Sequence, residues 1–244
     1  MHPWITWLTS RLQQWISLTE VRLRQGWSLA RFRPTPSCGS RPSSPPLQLA
    51  TAACATVVIP ALNEAKRIAD VVAYALRDPA TAEVIVVDDS SVDDTAALAA
   101  RAGAKVITSS MLGKGASMHD GVLHAQRDLL VFLDGDLAGL RPNIITDLCM
   151  PLLRGDADFV KARFGRAGGR VTELTAKPML KIFFPEVAHF MQPLGGIIAA
   201  RKSLLQALPF EDGYGVDVGL LLDAQLAGAR LAEVDIGPLE HESQ

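Results

Sequence analysis

Four short polar segments hold most of the residues that could do chemistry: Pro60-Ala61-Leu62-Asn63-Glu64, Asp88-Asp89-Ser90-Ser91-Val92-Asp93-Asp94-Thr95, Gly113-Lys114-Gly115 and Asp134-Gly135-Asp136. A lysine between glycines at a helix start offers an anion both a cation and backbone N–H groups. An Asp-x-Asp pair in extended chain puts two carboxylates on one side, which suits a hard divalent cation. Glu64, Asp89 and Asp134 can pair with the polar edge of a base and a ribose. Any one segment alone could be a helix cap or a turn. Together they meet the needs of a nucleoside diphosphate held through a metal, because carboxylates desolvated without a cation would be unstable.

The elements that must position these segments are legible around them. Short β-branched runs at Thr56–Ile59, Glu83–Val87, Lys105–Thr108 and Leu129–Leu133 predict strands. Between them the apolar spacing predicts helices over 64–77, 92–102, 115–126 and 142–154. Apolar strands alternating with amphipathic helices predict an α/β fold with a mostly parallel, Rossmann-like sheet covered on both faces. Each polar segment then falls at a strand's carboxyl end, the rim where such sheets bind ligands. A further strand at Leu231–Ile236 would return Glu240-His241 to that rim.

Composition divides the chain near residue 50. Residues 1–50 carry six arginines against one acid, a net +5, leaving −7 for the rest of a chain of net charge −2. They also hold all four tryptophans. Residues 3–31 read either as a basic amphipathic helix making a peripheral membrane contact or as a poorly ordered extension, and 34–46 read as a Pro/Ser-rich linker. The domain itself is expected over 51–244. Leu47–Leu62, the longest apolar run, is short and interrupted for a membrane span. Three cysteines, odd in number and irregularly spaced, fit neither a disulfide framework nor a zinc knuckle and point to the cytoplasm. The acidic body argues against nucleic acid as a partner. His119 and His124 read as ordinary helix residues, His189 as a packing or loop histidine, and Arg201 and Lys202 as a solvated helix start.

In combination, VVIPALNE, VVDDSSVDDT, GKG and FLDGDL resemble the nucleotide-sugar glycosyltransferases of the GT-A fold over roughly residues 55–241. The second half sharpens this. Gly168-Gly169-Arg170-Val171-Thr172-Glu173-Leu174, Gln192-Pro193-Leu194-Gly195-Gly196, Gly213-Tyr214-Gly215-Val216-Asp217-Val218-Gly219 and Glu240-His241 are similar to the glucosyl-3-phosphoglycerate synthases. Those are retaining enzymes that move glucose from UDP-glucose to 3-phosphoglycerate.

The resemblance implies a role for each matching residue. Pro60, Ala61, Leu62, Glu64 and Asp89 would line the uridine pocket, with Lys114 on the uracil or the phosphates and Asp134 on ribose and sugar. Asp136 and His241 would hold Mg²⁺ or Mn²⁺. Gly169, Arg170, Val171 and Thr172 would grip a small phosphorylated or carboxylated acceptor. Leu194 and Gly195 would approach the donor sugar, and Asp217 would sit near the sugar and the acceptor hydroxyl. Asp217, Asp134 and Arg170 are thus the catalytic candidates, residues 55–140 the donor half and 141–244 the acceptor half. The resemblance leaves room for a homodimer. This chain departs from the pattern in three places: Asp89-Ser90 stands for Ser-Gly, Asp217 for glutamate, and Glu242-Ser243-Gln244 for the acceptor-holding residues that follow the histidine. The ending reads either as a truncation or as a shorter subtype. The alternatives are a polyprenyl-phosphate glycosyltransferase and an inactive nucleotide-sugar-binding relative.

Overall fold

The computed structural model describes residues 53–165 and 171–239. The basic segment 1–50, Gly169, Arg170 and His241 lie outside the described residues.

The chain begins with β1 (Ala55–Ala61), α1 (Ile68–Arg77), β2 (Thr81–Asp88), α2 (Thr95–Arg101), β3 (Lys105–Thr108), α3 (Lys114–His124), β4 (Leu129–Phe132), α4 (Ile144–Leu153) and β5 (Phe159–Arg163). A π-helical turn, Thr172–Ala176, runs into α5 (Lys177–Phe183) and a 3₁₀ turn, Pro185–Val187. Then come β6 (Ile198–Arg201), α6 (Lys202–Leu205), α7 (Val216–Leu226) and β7 (Leu231–Asp235). The seven strands form one sheet in the order β3-β2-β1-β4-β6-β5-β7. Only β6 runs against its neighbours; the β1 pairs with β2 and β4, and the β2–β3 and β5–β7 pairs, are parallel.

Local sequence explains the frame. All seven residues of β1 are buried, as a central strand covered on both faces requires. In α1, Ile68, Val71, Val72 and Ala75 recur at helical spacing and turn one face into the core. They pack there with Val57, Ile59, Val86 and Val131 of the sheet and with Ile145, Leu148 and Leu152 of α4. β1 lies between β2 and β4 although β2 follows it directly, so the chain reverses its direction of travel across the sheet at this point. The crevice above such a switch point is where open α/β sheets bind ligands.

The predicted strands and helices form within a few residues of their expected bounds, but α1 starts at Ile68 rather than at 64. Residues 64–67 are instead a turn in which the Glu64 carbonyl accepts from Arg67 and Ile68 N–H. β5 and β6 carried no strand expectation. Lys161 interrupts the apolar run of β5, and β6 is four residues long. Arg201 and Lys202 also correct their reading as a solvated helix start. Arg201 donates to the Leu152 carbonyl at 2.6 Å and Lys202 to that of Ala125 at 2.8 Å, tying the end of β6 to α4 and α3. The far edge is clamped by Asp158, which accepts from Arg230 Nε at 2.9 Å and Nη2 at 2.8 Å. No helix among the described residues is long and apolar enough to cross a membrane.

Candidate functional site

The loops beyond β1 and β2 hold each other in place. Asn63, in left-handed conformation at φ 57°, donates its N–H to Ser91 Oγ at 2.9 Å, and its Oδ1 accepts from Val92 N–H at 2.9 Å. Glu64 N–H donates to Thr95 Oγ1 at 2.8 Å, and the Thr95 hydroxyl is bound in turn by Asp93. Asparagine tolerates positive φ and bonds nearby backbone, so it suits this turn. The predicted base-side residues are thereby fixed at the crevice.

Asp89 reaches from this loop to the third segment. Its N–H bonds the Ala61 carbonyl at 2.8 Å, and its Oδ2 accepts from Gly113 N–H at 2.8 Å. Its Oδ1 is buried without a hydrogen-bond partner. Gly113 enters α3 at φ 117°, and a Cβ there would overlap the Asp212 carbonyl. Only glycine lets the start of α3 lie this close to residues 211–213.

Lys114, at the first position of α3, sets the electrostatics of the pocket floor. Its ammonium lies 2.7 Å from Asp134 Oδ1 and 2.7 Å from Asp217 Oδ2. Burial works against its charge, yet the two carboxylates prevail and hold it protonated above the usual lysine range. Burial pushes the Asp217 carboxyl up while Lys114 pulls it down, and the balance leaves it raised. Asp217 Oδ1 is buried and unpartnered. Gly196 faces this triad, where a Cβ would overlap the Asp134 carboxylate and stand 2.5 Å from Lys114 Nζ.

These groups line a cavity of about 820 Å³. The structure brings Pro60, Ala61, Leu62, Glu64, Asp89, Lys114, Asp134, Asp136, Thr172, Leu194, Gly195 and Asp217 to its wall. Val171 is exposed and is not on the wall. Tyr214 and Leu112, both largely exposed, stand on the wall too. Among the described histidines none is on the cavity wall: His119, exposed on α3, lies against Phe210, and His189 lies against Phe190, with ring centroids 5.3 and 4.6 Å apart. His124 Nδ1 is 2.9 Å from the Asp120 carbonyl.

An anionic lip borders the cavity. The Glu64 carboxyl is raised by burial and then by the negative neighbours Asp136, Asp93 and Asp134. Among the described residues no three His, Cys, Asp or Glu side chains converge to hold a metal ion. An oxygen-rich lip in which Asp136 presents an exposed carboxylate at the cavity wall fits a hard cation that takes its remaining ligands from a bound diphosphate.

Sequence reasoning missed Lys161, which is fully buried behind the cavity wall. Its Nζ donates to the Gly195 carbonyl at 2.7 Å and to the Asp217 carbonyl at 2.8 Å. The only hint in the sequence was a lysine inside an apolar run. It also missed Ser117 and Phe164, and gave no role to Gln192 of a motif it had quoted; all three line the cavity.

Fold and site together define a nucleotide-sugar transferase, and a family model, Glycosyl transferase family 2, matches residues 56–210. The chain belongs to that family. Within it, the chain is 37% identical over 216 residues to the glucosyl-3-phosphoglycerate synthase of Mycolicibacterium paratuberculosis, covering 78% of this chain and 66% of that one. It is 36% identical to the Mycobacterium tuberculosis synthase, over 78% of this chain and 67% of the relative. The chain thus spans about two thirds of the length of these curated relatives. The crystal structure of the M. tuberculosis synthase with Mn²⁺, UDP and phosphoglyceric acid superposes with a TM-score of 0.73 at 37% identity, over 78% of this chain and 71% of that chain. The same enzyme with Mn²⁺, UDP-glucose and phosphoglyceric acid gives a TM-score of 0.74 at 36% identity, over 84% and 78% of the two chains.

Proposed function

We propose that this chain transfers glucose from UDP-glucose to 3-phosphoglycerate with retention of anomeric configuration, dependent on Mg²⁺ or Mn²⁺. The observation that carries the reading is the Lys114 ammonium bridging Asp134 and Asp217 on the floor of a switch-point cavity. The similarity to synthases solved with UDP-glucose and phosphoglyceric acid supports the choice of substrates.

Two unpartnered buried atoms support an orientation for the donor. Asp89 Oδ1 accepts from the imide N–H of the base, and Asp217 Oδ1 from a hydroxyl of the sugar. Each bond satisfies a buried acceptor that otherwise costs about 1–3 kcal/mol. Base and sugar are thus given separate acceptors, with the Lys114 ammonium beside Asp217 and Asp134 as fixed positive charge. Asp136 and His241 would hold the cation against the diphosphate, and when bound it supplies Lewis-acid neutralisation of the departing UDP. Leu194 and Gly195 wall the sugar. Thr172, with Gly169 and Arg170 beside it in sequence, receives the acceptor's charged end, so that its hydroxyl faces the anomeric carbon. Asp217 is committed to Lys114 through Oδ2 and to the sugar through Oδ1. This favours transfer of the acceptor proton to the leaving phosphate on the same face, which retains configuration.

In this reading residues 55–140 hold the nucleotide end of the donor, and 141–244 hold the acceptor and, through Leu194, Gly195 and Asp217, the donor sugar. A cytoplasmic location belongs to the proposal, supported by the free thiols of Cys54 and Cys149. A donor-by-acceptor panel tests it: UDP-glucose, GDP-glucose and UDP-galactose against 3-phosphoglycerate, glycerate and a polyprenyl phosphate, read by nucleoside diphosphate release. The expected maximum is UDP-glucose with 3-phosphoglycerate. Release confined to the polyprenyl phosphate would replace the acceptor, and no release from any pair would sink the reading.

A further inference from the structure

We propose that Lys161 is a positioning residue for the sugar end of the donor, acting through the backbone of the two segments that wall it. The inference rests on the glycosyl-transfer reading above. Lys161 lies on β5 between Val160 and Ala162, paired with Ile198 of β6, and its side chain shares the sheet face of the buried Phe159. From there it crosses beneath the cavity. One N–H fixes the Gly195 carbonyl, in the loop before β6, and another fixes the Asp217 carbonyl, in the first turn of α7. Residues of both segments line the cavity and Lys161 does not.

Its chemistry is costly where it sits. A fully buried ammonium has lost its hydration, and the two hydrogen bonds it makes here run to neutral backbone carbonyls. Burial lowers its pKa to about 8. The charges facing it are Asp217 and Asp134, which oppose that shift, Lys114, which adds to it, and Glu233 of β7, which opposes it. A methionine would fill much of the same space without the desolvation. What the lysine adds is a fixed spacing between two backbone segments that come from different parts of the sheet. Gly196 follows directly on Gly195 and abuts Asp134 and Lys114, while Asp217 carries the carboxylate aimed at the sugar. A shift of about 1 Å in either segment misplaces the anomeric carbon and can cost about 10²-fold in rate.

Stability and function are therefore set against each other at this residue. At neutral pH Lys161 is protonated both folded and unfolded, so the burial penalty is fully expressed. Between about pH 8 and 10.5 the unfolded chain binds more protons at this residue, so its contribution to stability improves as pH rises through that window.

The test compares wild type with Lys161→Met and Lys161→Gln in the full chain. UDP affinity, UDP-glucose affinity, turnover and melting temperature at pH 7 and pH 9.5 are measured. The Met variant is expected to bind UDP within twofold of wild type, to lose most of the extra affinity conferred by the glucose, and to lose tenfold or more in kcat. It should melt close to wild type at pH 7, because the burial penalty it removes is offset by the unpartnered Gly195 and Asp217 carbonyls, and it should fall relative to wild type at pH 9.5. The Gln variant, which keeps an N–H donor, is expected to fall between the two. Turnover within twofold of wild type in the Met variant would overturn the proposal. So would a parallel loss of UDP affinity, or loss of the fold in both variants, because either makes the lysine a general structural support. Absence of transfer by wild type would overturn the transferase reading instead. The affinity difference between UDP-glucose and UDP would still report on Lys161.

Discussion

Lys114 and Asp217 divide one task between them. The lysine lets a carboxylate stay buried at the pocket floor, and the carboxylate keeps a cation fixed where a diphosphate must leave. Removing the lysine alone strands a buried charge, which typically costs about 3–5 kcal/mol. Lys114→Ala should therefore lower the melting temperature sharply and reduce activity by at least about 10²-fold. Lys114→Ala combined with Asp217→Ala should recover much of the melting temperature and none of the activity. A double-mutant cycle read by thermal unfolding and by UDP release checks this; additive losses of stability would show that the pair is not coupled. Asp217→Asn should keep the shape and remove the charge, lowering kcat/KM at least about tenfold with little change in fold.

Loops and strands place these residues, and here the sequence was unevenly informative. The strand-end clusters were legible because each follows an apolar run of strand length, and the rim of an α/β sheet is a general binding position. The ion-paired state of Lys114 was not, because Asp134 and Asp217 reach it from segments far away in sequence. β5 was hidden by Lys161, since nothing local distinguishes a buried lysine from a solvated one, and β6 was too short to show a period. Two predictions belong at this scale. Gly196→Ala should press on Asp134 and Lys114 and lower kcat/KM by about tenfold or more while leaving the far-UV circular dichroism unchanged. At the sheet edge, hydrogen bonds from Arg230 hold the Asp158 carboxyl below the usual carboxylate range. A carboxyl depressed in the folded state contributes stability above its unfolded value, about pH 4, that is lost as pH falls through its folded value. Arg230→Ala should therefore destabilise the protein at neutral pH and flatten its acid-side loss of stability, as followed by urea unfolding at a series of pH values.

Over the whole molecule, net charge is a poor guide to what the cavity binds. Outside residues 1–50 the chain carries −7, and Glu64, Asp88, Asp89, Asp134, Asp136 and Asp217 contribute to that figure close to the site proposed for a polyanion. A divalent cation bound there would invert the field where the diphosphate sits. Because Asp136 and His241 would leave a hard cation with ligand positions for a diphosphate to fill, cation and nucleotide should bind as a linked pair. Mn²⁺ alone should barely raise the melting temperature, UDP alone should raise it modestly, and the two together should raise it by more than the sum; Asp136→Ala should abolish the synergy. The most direct measurement of the central claim is ¹³C NMR of UDP-glucose labelled at the anomeric carbon, incubated with the full chain, 3-phosphoglycerate and Mg²⁺. The predicted result is loss of the sugar-nucleotide signal and growth of one α-glucoside signal, dependent on both acceptor and metal. A signal that stays unchanged, or that moves only to free glucose whether or not acceptor is present, would contradict it.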